Sequence, residues 1–168
     1  MVTLISPSIS YKNSYINGLS ELMEESPNPE SLKWITDNFG EFLSRFRKLK
    51  NGENVAEGKV PYSEYWLIDG DKYIGTIDIR HIPSGKFNSI KSHIYLHIIP
   101  SKRRRGYGEK ILKLGLEKAK KLGLRKIIIT CDTNNTASQK IIEKNGGVLE
   151  EQITTPDGIL MKKYRIKN

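Results

Sequence analysis

The sequence predicts an α/β protein folded as one domain that spans residues 1–168. Its length of 168 residues falls in the usual size range of a single domain. Segments whose apolar residues recur at helical spacing alternate along the chain with short runs of β-branched residues. The hydrophobic fraction of 37% is modest beside 28% charged residues, but the regular apolar runs argue against disorder.

The first fifty residues predict one strand and two helices. Residues 2–5 form a short apolar run, and apolar residues then recur at helical spacing as far as Pro27. A second helix is predicted from about Ser31, a residue type that caps helix N-termini. Its broad apolar stripe, most simply explained as core packing, comprises Trp34, Ile35, Phe39, Phe42, Leu43 and Phe46.

The middle of the chain predicts a hairpin followed by a further strand. Residues 65–68 and 73–79 have strand character and flank the tight polar turn at 69–71. After a loop containing glycine and serine, residues 92–99 predict another strand, which Pro100 ends. The second hairpin strand has a polar and an apolar face, with Thr76, Asp78 and Arg80 alternating with Ile77 and Ile79.

The C-terminal part predicts the clearest helix of the chain. Residues 107–122 carry an apolar stripe with lysines on the other side, and Gly123 ends the helix. Residues 126–130 are typical of a strand covered on both faces, and helix signals resume from about Asn135 to Gly146. The remaining segments, 148–149 and 159–166, predict terminal strands around a turn.

The charge balance predicts an anionic partner but does not identify it. The formal net charge is +9, which favours nucleic acid, a membrane surface or a phosphorylated small molecule. The one cysteine, Cys131, excludes an internal disulfide and offers no thiol pair for structural zinc. No apolar stretch of about eighteen residues is present in the sequence, so we expect a cytoplasmic protein without a membrane or metal partner.

A basic loop lies between the strand at 92–99 and the long helix. Residues 102–105 are Lys-Arg-Arg-Arg, and Gly106-Tyr107-Gly108 follows at the helix start. A helix N-terminus presents unpaired N–H groups and the positive end of the peptide dipoles, and glycine lets an anion approach closely. Arginine can bind phosphate through two N–H groups. The loop therefore predicts a pyrophosphate site, although it lacks both the longer dinucleotide fingerprint and the P-loop lysine.

The order of motifs around this loop resembles a known family. Arg103-x-x-Gly106-x-Gly108, between the strand and the helix, resembles the acyl-CoA motif of the GNAT superfamily of N-acetyltransferases. Residues 135–138, leading to 142–147, resemble the second conserved block of that family. The resemblance is specific over about residues 92–150, and features near Asp78 and Cys131 are similar to a bacterial group without an established substrate.

This resemblance implies a GNAT fold. Such a fold has a mixed, mostly antiparallel sheet of six to seven strands with a splayed central pair, flanked by about four helices. It implies acetyl-CoA as acyl donor, without a metal, and direct attack by a primary amine of a small molecule or peptide. A homodimer is also compatible with the family. The implied acyl-CoA contacts are Leu96, His97 and Ile98 on the pantetheine, Arg103, Arg104, Arg105, Gly106, Tyr107 and Gly108 on the pyrophosphate, and Asn135 near the pantetheine end.

The general base that the reaction needs is not fixed by the sequence. His97, His81 and Asp78 are the candidates, with His93 as a further titratable group. Each histidine also has a simpler interpretation, because residues 93, 95 and 97 alternate with apolar residues and fit the wetter face of a strand. Arg80 could orient an acidic group of the substrate or pair with Asp78.

One position departs from the family pattern. Many members protonate the departing thiolate with a tyrosine, where this chain has Ile142, so water, Ser138 or a tyrosine from another segment would have to do so. A non-catalytic acyl-CoA sensor therefore stays open. A basic nucleic-acid-binding domain is a third interpretation, which the lack of interleaved aromatic residues and of a known DNA- or RNA-binding signature disfavours.

Overall fold

The structure is a computed structural model that describes residues 1–57, 59–81 and 92–168. Within these ranges the strands are β1 (Val2–Ile5), β2 (Tyr62–Asp69), β3 (Lys72–Arg80), β4 (Ile94–Ile98), β5 (Lys126–Asp132), β6 (Val148–Thr154) and β7 (Leu160–Lys167). The α-helices are α1 (Lys12–Glu25), α2 (Pro29–Asp37), α3 (Phe39–Lys50), α4 (Tyr107–Lys121) and α5 (Thr136–Lys144). Short 3₁₀ turns occupy Ile9–Tyr11 and Pro100–Lys102.

The strands form two antiparallel sheets. The first has the order β1-β2-β3-β4, and the second has the order β5-β7-β6. Every ladder recorded among the described residues is antiparallel. The predicted α/β class is confirmed. The loop expected between β3 and β4 falls mostly at 82–91, outside the described residues.

The described ranges contain five helices rather than four because the second predicted helix is interrupted. Asn38 lies between α2 and α3 with φ −117° and ψ 38°, which is not helical. Its side-chain Nδ2 donates a hydrogen bond to Trp34 O at 3.0 Å. Asparagine competes in this way with the backbone pattern of a helix, so the helix ends there although the apolar stripe continues.

The two faces of the first sheet differ in chemistry. One face packs Leu67, Ile77 and Ile98 against α4, in a core shared with β5 and β7. The opposite face, called the polar face below, is covered by α1, α2 and α3 through an aromatic cluster in which Tyr15 stacks on Trp66 at 4.3 Å. Its alternating residues on β2, β3 and β4 include Glu64, Trp66, Thr76, Asp78, Tyr95 and His97.

A β-bulge in the β2–β3 hairpin sets which residues share the polar face. Ile68 pairs with Tyr73, whereas Leu67 pairs with Gly75, so Ile74 is the extra residue. A bulge inserts one residue into one strand and moves every later residue to the other face. Beyond it, Glu64 lies directly opposite Asp78.

The hairpin's Gly75 gives a test of this packing. An added Cβ would lie 2.2 Å from the backbone oxygen of His97 and 3.0 Å from Ile98 Cα. Backbone atoms cannot give way as a side chain can, so Gly75→Ala should lower the free energy of unfolding by about 3 kcal/mol or more.

The matched control is Gly40→Ala in α3, where nothing lies within 4 Å of the new Cβ. This control should gain up to about 1 kcal/mol in urea denaturation. Equal effects of the two substitutions would contradict the described approach of β3 to β4.

Candidate active site

The two sheets are joined at one point beside β4. His93 donates its backbone N–H to Ile128 O at 2.8 Å, and its ring Nδ1 accepts from Ile128 N at 3.0 Å. The neighbouring Ser92 Oγ accepts from Thr130 N at 3.4 Å. Along the rest of β4 and β5, the described residues form no ladder between the sheets. A gap therefore opens between these two strands beyond the junction.

A cavity of about 460 Å³ lies in this gap. Its walls combine apolar side chains with several polar ones, which is typical of a small-molecule binding site. Arg80 and Tyr95 of the polar face also line the cavity. The cavity therefore reaches from the α4–α5 side of the gap toward that face. The other lining residues are Ser92, Ile94, Leu96, Leu112, Ile129, Thr130, Cys131, Asn135, Ser138, Ile141, Ile142 and Met161.

The loop before α4 presents a run of free backbone donors. Among the described residues, no acceptor is hydrogen-bonded to the N–H groups of positions 104–109, whereas Lys110 N already bonds to Gly106 O at 3.2 Å. Arg104 with φ 62° and Gly106 with φ 80° place the backbone in the left-handed region. Successive amides in such a conformation converge on one point and bind anions. The geometry thus suits the predicted pyrophosphate site.

The three arginines of the loop have different environments. Arg103 donates from Nη1 and Nη2 to Glu25 on α1 at 2.6 and 2.8 Å, and from Nε to Ile98 O at 3.0 Å. Its side chain therefore anchors the loop to α1 and β4. Arg104 and Arg105 are exposed and make no ion pair with any residue in the described part of the chain. These two guanidinium groups remain available to a phosphorylated ligand.

The residues around Gly106 also have structural functions that the sequence did not reveal. An added Cβ at Gly108 would lie 2.5 Å from Ile141 Cδ1, so this glycine lets α4 pack closely on α5. Tyr107 donates its hydroxyl to Asp69 Oδ2 at 2.7 Å, which ties α4 to the end of β2. At Gly106 nothing lies within 4 Å of the built Cβ, and only its positive φ favours glycine.

The polar face brings two carboxyl groups together, and one of them neighbours two residues that line the cavity. Asp78 is the cross-strand partner of Glu64 on β2 and of Tyr95 on β4, and Arg80 follows it by two residues on β3. Burial raises the pKa of Asp78 to about 7, although Arg80 opposes the rise. Burial and then the charge of Asp78 raise the pKa of Glu64 well above its usual range, against the hydrogen bond from Trp66, which lowers it.

The predicted histidines lie in different places. His97 contributes to the polar face, where its Nε2 lies 3.1 Å from the Tyr73 hydroxyl, which is itself 2.7 Å from Thr76 Oγ1. Burial and then the Arg103 charge lower the pKa of His97 to about 4, so it is neutral at pH 7. His81 lies at the end of β3, where Nε2 contacts Ser63 Oγ at 2.9 Å. Burial and then Lys50 lower the pKa of His81.

Helix α5 supplies the remaining predicted residues. Asn135 caps this helix, because its Oδ1 accepts from Ser138 N at 3.0 Å, and both residues line the cavity. Ile142 is 3% exposed and also lines the cavity, so no proton donor stands at that position. Ser138 is the hydroxyl-bearing residue of α5 that lines the same cavity.

Sequence reasoning missed Glu64 and the junction of Ser92 with β5. Glu64 was overlooked because the predicted strand began at residue 65, whereas β2 begins at Tyr62. The alternation from Tyr62 to Trp66 was the available signal, but the bulge decides what Glu64 faces. Hydrogen bonds from one loop to a distant strand, as at Ser92, leave no trace in local sequence.

In the described ranges, no group of three or more His, Cys, Asp or Glu residues is arranged to hold a metal ion. No helix in those ranges is long and apolar enough to cross a membrane.

A gap between the central strands of an α/β fold, and free amides at the start of the helix after β4, fit the GNAT fold that the sequence resemblance implies. A family model described as "Acetyltransferase (GNAT) domain" matches residues 16–148. The chain therefore belongs to the GNAT acetyltransferase family. Among curated proteins, none matches the chain significantly in sequence.

Solved structures show the same fold at low sequence identity. RimJ from Mycobacterium smegmatis in complex with CoA-disulfide has a TM-score of 0.73 at 16% identity, covering 99% of this chain and 81% of that one. RimL, the ribosomal L7/L12 alpha-N-protein acetyltransferase in complex with coenzyme A, has a TM-score of 0.68 at 13% identity, covering 99% and 93%. An acetyltransferase of Salmonella typhimurium that modifies the N-terminal serine of L7/L12 has a TM-score of 0.66 at 14% identity, covering 99% and 95%.

The raised pKa of Asp78 predicts a pH-dependent effect of Asp78→Asn. The folded state keeps this proton up to about pH 7, whereas the unfolded chain releases it near 3.8, so the stabilisation by this group is lost as the pH rises between those values. The asparagine side chain does not titrate, so the variant should gain stability relative to the wild type from pH 5 to pH 8. Urea denaturation at both pH values measures the difference. Asp71→Asn, at an exposed position, is the matched control. The prediction would be contradicted if the free energies of unfolding of wild type and Asp78→Asn differed by the same amount at both pH values.

Proposed function

We propose that this protein, as one domain spanning residues 1–168, is an acyl-CoA-dependent N-acetyltransferase that transfers acetyl from acetyl-CoA to a primary amine. The observation that carries the proposal is the run of free N–H groups at 104–109, in the loop that connects β4 to α4, two elements that line the gap between β4 and β5. A diphosphate bound at the loop would let the pantetheine arm extend along the unpaired edge of β4, at Leu96, His97 and Ile98. The single buried thiol, Cys131, fits a reducing, cytoplasmic compartment.

Direct transfer in a ternary complex needs few groups from the protein. The acceptor's ammonium gives one proton to a base, and the free amine then attacks the thioester carbonyl carbon. A C–N bond forms, the C–S bond breaks, and its electron pair leaves on sulfur. The second proton lost by the nitrogen converts the thiolate to CoA thiol, while the base later returns its proton to solvent. A backbone N–H at the splayed strand would stabilise the developing oxyanion.

Asp78 is the base that the geometry favours among the three predicted candidates. It lies beside Arg80 and Tyr95, both of which line the cavity, and its pKa of about 7 matches the working pH. His97 is buried against Tyr73, and its pKa of about 4 makes it a weaker proton acceptor. His81 is held at the strand end by Ser63. Ser138 or water relays the second proton of the amine nitrogen to the leaving thiolate, in place of the tyrosine that Ile142 replaces.

The acceptor is a primary amine of a small molecule or a peptide. Two structural neighbours act on the N-terminus of ribosomal protein L7/L12, which makes a peptide α-amine one class to include among the acceptors. Metabolite amines, antibiotics and polyamines are the other classes. The buried, apolar Ile142 specifically favours a second candidate function, that of an acyl-CoA sensor without transferase activity.

One experiment separates these functions. Acetyl-CoA should stabilise the protein thermally, by about 2.7 kcal/mol at a ligand concentration one hundred times Kd. A panel of acceptor amines monitored by free-thiol release should then yield turnover with one amine class. Stabilisation without thiol release from any amine would support the sensor. Salt-dependent DNA binding without an acetyl-CoA effect would reject both in favour of a nucleic-acid-binding domain.

The different environments of the loop arginines predict different substitution effects. Arg104→Ala and Arg105→Ala should each weaken CoA binding by about threefold to tenfold. The corresponding loss of binding free energy lies between the contribution of an exposed ion pair and that of a charge-assisted hydrogen bond. Arg103→Ala should also lower thermal stability without ligand, because it removes the bonds to Glu25 and Ile98. Calorimetric titration with CoA and dephospho-CoA would identify which arginine contacts the 3′-phosphate.

Lys121→Ala is the matched control for charge, since this exposed residue lies at the far end of α4. If this control weakens CoA binding as much as the loop substitutions do, the effect comes from the net positive charge and not from a site at the loop.

A further inference from the structure

The pair formed by Glu64 and Asp78 has a feature that the proposed reaction does not explain. Asp78 Oδ1 is fully enclosed, and no described residue hydrogen-bonds to it. An enclosed carboxylate oxygen without a donor is costly, because it has lost its water and gained nothing. Carboxylates only accept hydrogen bonds, so a donor must come from a neighbouring group that carries a proton.

Glu64 is placed to be that group. The two residues are direct cross-strand partners on one face, where Cβ atoms lie about 4.5–5.5 Å apart. Trp66 Nε1 donates to Glu64 Oε1 at 2.8 Å and so fixes the orientation of the carboxyl group. That bond leaves Oε2 as the atom that can hold a proton.

We propose that Glu64 is a positioning residue that stays protonated at neutral pH and donates its Oε2–H to Asp78 Oδ1, so that Asp78 is the ionised member of the pair. Two carboxyl groups held side by side do not both ionise at neutral pH, and one shared proton satisfies the enclosed oxygen. Asp78 Oδ2 is then the oxygen that exchanges protons with an acceptor amine. This inference rests on the proposed function for its catalytic meaning, but the shared proton itself does not.

The other titratable groups around the pair are compatible with this assignment. Tyr15 on α1 and Tyr73 on β3 have pKa values raised by burial above their usual range, and burial raises the pKa of Tyr62 on β2 to about 12. These phenols are therefore neutral. On β4, Tyr95 faces Asp78 across the ladder, and His97, with its pKa of about 4, carries no charge at pH 7. Arg80 is the cation that acts on Asp78, and it favours the ionised form there.

The test compares Glu64→Met with Glu64→Gln in the full-length protein. Methionine cannot donate, so the pKa of Asp78 should rise by about one unit, and the ascending limb of the kcat/KM profile should move up by about one pH unit. Below the limb, kcat/KM should then fall about tenfold. Glutamine can accept from Trp66 and donate to Asp78, so it should return the limb to within about 0.3 pH units of wild type.

Two further variants complete the activity test. Asp78→Asn should remove the limb, and adding Glu64→Met to it should leave the profile unchanged, because residues that act as a unit are not additive. Glu117→Gln, at an exposed position on α4, is the control. The proposal would be overturned if the ascending limb of the kcat/KM profile lay at the same pH in wild type and Glu64→Met. It would also be overturned if Glu64→Gln shifted that limb as much as Glu64→Met does.

NMR titration of the side-chain carboxyl carbons tests the shared proton directly. This measurement needs neither enzyme turnover nor the Glu64→Met variant. In wild type, Glu64 should titrate well above its usual range, and Asp78→Asn should lower that pKa toward the usual range because it removes the Asp78 charge. If the two titrations are coupled but the protein acetylates no amine, the shared proton is supported and the proposed transferase activity is rejected. A Glu64 carboxyl group that titrates in its usual range, unaffected by Asp78→Asn, would reject the shared proton even in an active enzyme.

Discussion

The candidate site depends on the interruption of the hydrogen-bonded ladder between β4 and β5. Continuous pairing would close the sheet and leave no room for a ligand, whereas complete separation would expose the core residues that both strands carry. The bonds from Ser92 and His93 to β5 hold the sheets together at one end. Both junction residues are buried, at 8% and 4% exposure, so water does not compete strongly for these bonds. The gap is thus a fixed feature of the fold.

This interruption leaves backbone groups of β4 and β5 without ladder partners. Unpaired strand edges normally invite pairing with another strand. Here the edges face each other across a cavity with apolar and polar walls, and an extended ligand of limited width can replace the missing strand. The loop at 104–109 connects β4 to α4, both of which line the cavity, and its free amides suit the negatively charged end of the proposed ligand. One topological break therefore accounts for both halves of the proposed acyl-CoA site.

The sequence predicted the parts of this arrangement that depend on local chemistry. Arginines followed by Gly106 at a helix start have an electrostatic meaning that needs no knowledge of the fold, and the free amides agree with it. The confirmed fold likewise follows from motif order. Predictions that depended on tertiary packing were less complete. Gly108 was interpreted as an anion-binding glycine, but its missing side chain also admits Ile141. Arg103 stays a predicted phosphate ligand, and its guanidinium also bonds to Glu25 and Ile98, which the sequence does not indicate.

The pairing of Glu64 with Asp78 shows most clearly why such details escape sequence analysis. A ladder that continued unbroken from the turn, with Ile68 opposite Tyr73, would set Glu64 against Ile77. The extra residue Ile74 changes that register by one, and no local propensity requires it. Its position follows from packing, since Ile74, Ile77 and Ile79 all enter the core beneath α4, whereas unbroken alternation would turn Ile77 and Ile79 toward the face that Tyr73 occupies. The same shift sets the two carboxyl groups directly opposite each other. Burying these two carboxyl groups costs folding free energy that the aromatic cluster around them must offset. Such a cost is typical of groups retained for their chemistry.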